Sequence, residues 1–153
     1  MANYNSSLVI NSPSGGPGPF PGNMIAFYWQ VSITANLANL DTFTFGKVPK
    51  GFRVLGASIL STDLDTNASP TLAVNIGDAD DPDRLFAAAT IGQTAAVTPG
   101  GAFATANNLR NVGFGYVYPA ETTIVATVAT GPATGTTGTY TLALWGRYDG
   151  AAS

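Results

Sequence analysis

Alternation with a period of two residues governs most of this chain. Ile25, Phe27, Trp29, Val31 and Ile33 fall on one side of a run whose other side carries Ala26, Tyr28, Gln30 and Ser32. Successive side chains of a strand point to opposite faces, so this run reads as a β-strand with one buried face. The same pattern predicts a strand over 41–45 with Phe43 and Phe45 inward. It predicts another over 71–76, with Leu72, Val74 and Ile76 facing Thr71, Ala73 and Asn75 across the strand. Residues 52–61 are apolar on both sides, as in a strand at the middle of a sheet. Val112, Phe114, Tyr116 and Tyr118 predict a later strand. Ile124, Ala126 and Val128 predict the next, and Tyr140, Leu142, Leu144 and Tyr148 the last. On that final strand Trp145 lies opposite the Leu142/Leu144 side, which puts it in a second buried layer or at an interface. Turn residues separate these runs. Residues 85–96 read either as a helical turn or as an extended finish, and 98–108 read as a loop. Seven or eight strands without a convincing helix predict an all-β fold, an antiparallel β-sandwich of jelly-roll type.

Residues 1–23 stand apart. Between Asn11 and Gly22, proline removes backbone donors and glycine costs entropy, so neither a helix nor a central strand can form. The reading is an extended Pro/Gly-rich N-terminal arm over 1–23 ahead of a sandwich domain over 24–153. Leu8, Val9 and Ile10, with Phe20, are the arm's apolar contacts. Either the arm lies across a neighbouring subunit by adding a strand to a sheet edge, or it is a tail without fixed structure.

Composition bears on what surrounds such a sandwich. Charged residues make up 10% of the chain, against about 25% in ordinary domains. A surface so poor in charge favours association. The net charge of −3 and the scattered Lys47, Lys50, Arg53, Arg84, Arg110 and Arg147 argue against a nucleic-acid partner, which needs clustered cations. No signal peptide and no membrane-spanning run is legible, so a membrane partner is not expected and the sequons at Asn5 and Asn67 read as chance matches.

The chain has neither cysteine nor histidine. Thiol chemistry, Ser-His-Asp triads and imidazole-ligated metals are thereby excluded. Six of the nine carboxylates fall between Asp63 and Arg84. The pairs Asp63/Asp65 and Asp78/Asp80 could crowd one another as glycosidase carboxylates do, but a general acid needs an apolar pocket and these loops are polar. Asp78, Asp80, Asp81 and Asp83 offer hard oxygens for Ca²⁺. The spacing is not that of an EF-hand, since Asp83 stands where glycine is required and Ala89 where the bidentate glutamate belongs. The preferred reading is a set of Asx-turns, with Arg84 pairing one carboxylate. The expectation is therefore no catalytic residue, no metal and no cofactor. Tyr28, Tyr116, Tyr118, Trp145 and Tyr148 could form a sugar-stacking platform, but serve more often as core or as anchors between subunits.

The runs Gly51-Phe52-Arg53-Val54-Leu55, Asp63-Leu64-Asp65, Val74-Asn75-Ile76-Gly77-Asp78 and Asp81-Pro82-Asp83-Arg84-Leu85 form one set of motifs. Thr122-Thr123-Ile124-Val125 and Gly138-Thr139-Tyr140-Thr141-Leu142 form another. Together they resemble the capsid decoration or cement proteins of tailed bacteriophages over roughly residues 50–148. The resemblance implies a β-sandwich in a virion and carries no catalytic residue. It sets the expectation of a structural protein on the outer surface of a phage capsid that bridges neighbouring subunits. The expected partners are the major capsid protein and further copies of the chain, a trimer ahead of a dimer. The expected contacts are Leu8, Val9, Ile10, Phe20 and Trp145. The alternative is a carbohydrate- or receptor-binding module of a head fibre or tail, because fold does not decide between the two.

Overall fold

A computed structural model describes residues 24–94 and 113–150, and the strand backbones at 3–5, 8–10 and 104–105. Two short strands come first, β1 (Asn3–Asn5) and β2 (Leu8–Ile10). The body is built from β3 (Met24–Ile33), β4 (Thr42–Val48), β5 (Phe52–Ser61), β6 (Ala73–Gly77) and β7 (Phe86–Ala89). A 3-10 turn (Ile91–Gln93), β8 (Ala104–Thr105), β9 (Thr122–Thr130) and β10 (Gly138–Tyr148) complete it.

One sheet has the order β2-β3-β10-β5-β8 and the other β1-β4-β9-β6-β7. From β3 to β10 the chain changes sheet at every connection except β6 to β7, which is the double Greek-key path of a jelly roll. The pairs within this body are antiparallel, whereas β1 runs parallel to β4. The predicted all-β sandwich of jelly-roll type is thus the observed architecture.

The alternating residues fill the space between the sheets. Trp29, Val31 and Ile33 of β3 meet Phe43 and Phe45 of β4, Ile124, Ala126 and Val128 of β9, and Tyr140, Leu142 and Leu144 of β10, all buried. Phe27 stacks on Trp29 at 5.0 Å between ring centroids, and Phe43 on Tyr140 at 5.1 Å. Such offset pairs add to plain area burial.

Two sequence expectations change in the structure. The segment 85–96 takes both alternatives in turn, a strand at Phe86–Ala89 and then the 3-10 turn. The predicted strand from Val112 does not form as drawn; Val112 itself lies outside the described residues. Gly113–Gly115 turn instead, because Gly115 takes a φ of 78°, which ends an extended run. Beyond the turn, Val54 donates its amide to Tyr116 and Tyr118 donates to Phe52, so the segment lies along the first residues of β5. Phe114, placed on that predicted strand, is 65% exposed in the turn. The predicted loop 98–108 falls mostly outside the described residues, apart from β8.

Candidate functional site

The two outer faces of the sandwich differ. On the β3-β10-β5 sheet the strand registers set outward residues in rows. Ala26 stands beside Trp145 and Gly56; Tyr28 beside Ala143 and Ser58; Gln30 beside Thr141 and Leu60. None of these carries a charge. Trp145 is 38% exposed and Tyr28 46%, and Met24, at the start of β3, is 64% exposed. The indole of Trp145 lies directly over Gly56, where a Cβ would come within 2.3 Å of the ring. Glycine is needed there for the indole to lie flat on the sheet and leave its other face to solvent. Among the described residues charge gathers in the end row, where Arg147 stands opposite both Met24 and Arg53. Both arginines bond Asp149, and with Arg147 foremost they hold its carboxyl below the usual range.

The opposite face is hydroxylic. Thr42 and Thr44 of β4 pair with Thr127 and Val125 of β9, and Asn75 of β6 also faces Thr127. At one end a groove of about 450 Å³ is floored by Thr123, Val125 and Thr127 and rimmed by Asp80, Pro82 and Glu121. Glu121 is already paired with Lys47 at 2.8 Å.

Most of the acidic residues singled out in the sequence act within the fold. Asp78 is buried, and its Oδ1 accepts the amides of Asp80 and Asp81 at 3.0 Å each, which makes the expected Asx-turn. Its Oδ2 accepts Arg84 Nε at 2.6 Å. Burial alone would lower Arg84, but Asp78 overrides it and keeps the guanidinium charged. Arg84 also sits 3.7 Å from the Tyr116 ring centre, a cation–π contact. Asp81 pushes the neighbouring Asp83 carboxyl up, with burial adding to it. Among the described residues no group of three or more acids is arranged around a common point for a metal.

Asp65 has a role that sequence reasoning missed. It is 1% exposed. Its Oδ2 accepts the amides of Thr71, Leu72 and Ala133, and its Oδ1 that of Thr134 at 2.9 Å. Burial alone would raise this carboxyl; the four amides override it and hold it well below the usual carboxylate range. The signal available was weak, a single aspartate ahead of a turn, because its partners in 133–134 are distant in sequence.

Of the predicted contacts, Trp145 is on the charge-free face. Leu8, Val9 and Ile10 form β2, opposite Gln30, Trp29 and Tyr28. Phe20 lies outside the described residues. Met24 was overlooked, although it continues the outward phase of Ala26 and Tyr28.

An eight-stranded jelly roll with exposed aromatic rings on one charge-poor face belongs to the class used for viral capsids and lectins. Comparison with known proteins narrows it. A chain of the cyanophage Pam1 capsid asymmetric unit superposes with a TM-score of 0.70, at 33% identity over 91% of this chain and 92% of that one. A chain from the capsid of Ralstonia phage GP4 has the same fold, with a TM-score of 0.69 at 24% identity over 95% of this chain and 98% of that one. No family model and no curated protein matches. The chain belongs to the family of the Pam1 capsid component and is a phage capsid-related structural protein of the virion.

Proposed function

We propose that this chain is a non-enzymatic decoration and cement protein on the outer surface of a bacteriophage capsid, where it bridges neighbouring subunits. The observation that carries this reading is the charge-free face bearing Tyr28 and Trp145. Charged residues are depleted and aromatic residues enriched at the cores of protein interfaces. Trp145, with Leu8, Val9, Ile10 and Phe20 of the arm, contacts the major capsid protein or further copies of the chain, a trimer ahead of a dimer. Many modest contacts repeated over a particle give avidity without any single strong site. Four of the six basic side chains, Lys47, Arg53, Arg84 and Arg147, are paired with acids, Arg53 and Arg147 sharing Asp149. That pairing supports a partner other than nucleic acid, and no membrane or cofactor enters the reading.

The test is binding of the Tyr28→Glu/Trp145→Glu double variant to capsids of the encoding phage stripped of this protein, measured by co-sedimentation. A loss of at least about tenfold is expected, since central aromatic anchors dominate such interfaces. Undiminished binding by a folded variant overturns the assignment of this face. The same exposed rings also suit a glycan, so a glycan array with both proteins decides for the alternative if the wild type binds a sugar and the variant does not.

A further inference from the structure

The N-terminal arm closes two sheet edges at once. In the body of the jelly roll, β3 ends one sheet and β4 ends the other. β2 adds antiparallel to β3, and β1 adds parallel to β4, with only Ser6 and Ser7 between them. An open edge is a template of unpaired amides and carbonyls that accepts any matching strand. Each copy of the chain thus carries both an arm and the edges that receive it.

The link behind the arm is far longer than this closure needs. Ile10 stands opposite Tyr28, and Met24 is four residues back along β3, or about 13 Å at roughly 3.3 Å per residue. Thirteen residues, 11–23, join Ile10 to Met24, four of them proline and four glycine. Their extended reach is about 40 Å. That is some three times the required span, and enough to set the same strands on an adjacent sandwich.

We propose that the arm is exchanged between copies of this chain, β1 and β2 of one copy completing the β4 and β3 edges of another. The closed and exchanged forms contain the same strand pairs, so contact energy does not choose between them. Concentration chooses: a link of this length gives its own arm an effective concentration on the order of 1 mM, and a crowded assembly matches that. The inference deepens the assignment of Leu8–Ile10 as contact residues by naming the partner. Its test needs no capsid, so its failure leaves attachment through Trp145 untouched.

The absence of cysteine makes the test clean. Leu8 faces Gln30 across the β2–β3 pair, so the full chain with Leu8→Cys and Gln30→Cys together reports the closed form as a bond within one chain. An equal mixture of single variants, one enlarged by a tag, reports exchange as a bond between chains of different size. After oxidation and a non-reducing denaturing gel, the mixed bond should rise from about one part in two hundred at about 10 µM total protein to about a quarter at 1 mM, following the effective concentration and the equal chance of meeting a like variant. A double variant that closes on itself while the mixture stays unlinked at 1 mM overturns the proposal. So does a failure of both bonds, which would mean that the arm does not occupy the β3 edge at all.

Discussion

The two acidic loops at the ends of β6 look alike in sequence and are held together by different physics. Each contains one buried carboxylate. Asp65, ahead of β6, is satisfied by backbone amides, two from its own loop at Thr71 and Leu72 and two from the β9–β10 connection at Ala133 and Thr134. Asp78, behind β6, is satisfied by two local amides and by one cation, Arg84, six residues on. The first loop ties distant parts of the chain together. The second is a local turn whose buried carboxylate is matched by its own arginine. A cluster of aspartates in the sequence therefore marks two structural anchors.

The largest expected effect is on the first loop. Asp65→Ala leaves four amides without their acceptor, that of Leu72 buried and those of Thr71, Ala133 and Thr134 part-buried. Each such group costs about 1–3 kcal/mol when water cannot reach it, so a total loss near 4 kcal/mol is expected in urea unfolding. The sign of the pH dependence follows from the depressed carboxyl. Its stabilisation is complete above the unfolded value near 4 and is lost as pH falls toward the lower folded value. The wild type should thus weaken below about pH 4, and the variant should lack that part of the acid limb. A loss under about 1 kcal/mol, with the acid limb intact, would show that water satisfies the amides instead.

Arg84→Met tests the second loop and should cost less, about 3 kcal/mol, because Asp78 keeps its two amide bonds when the guanidinium is gone. Adding Asp78→Asn should recover part of that loss, since the amide oxygen still serves the turn and no buried charge is left unpaired. If the double variant is less stable than the single one, the pair is not the source of the loop's stability and the contrast with Asp65 fails.

These differences also explain what could be read from the chain. Alternation exposed the core because Trp29, Phe43, Val74, Ile124 and Leu142 each answer to a two-residue period that any strand shares. The Asx-turn at Asp78 and its arginine were legible for a similar reason, since all partners lie within six residues. The role of Asp65 was not, because its second pair of donors is 68 and 69 residues away and no local pattern encodes such a meeting. The turn at Gly115 was hidden by aromatic residues that mimic a strand at Phe114, Tyr116 and Tyr118. The charge-free face was half legible. Trp145 stood out as the aromatic opposite Leu142 and Leu144, but only the register of β10 on β3 and β5 sets it beside Ala26 and Gly56.

The smallest expected effect concerns calcium at the second loop. A Ca²⁺ site needs six to eight oxygens with several free carboxylates among them. Both oxygens of Asp78 already serve Arg84 and two amides, and Oδ2 of Asp81 lies 3.7 Å from Arg84 Nη1. Asp83 is pushed up by Asp81, so that pair resists carrying two full charges together, and a cation would first have to displace the guanidinium. Millimolar CaCl₂ or EDTA should therefore leave the melting temperature of the full chain within about 1 °C of the untreated value. A ligand that bound only the folded form at one hundred times its dissociation constant would add about 2.7 kcal/mol, a rise of several degrees. Such a rise with Ca²⁺, absent with Mg²⁺ and abolished by Asp80→Asn, would make Asp78, Asp80, Asp81 and Asp83 ligands after all. It would also mean that Arg84 swings out of the loop when the ion enters.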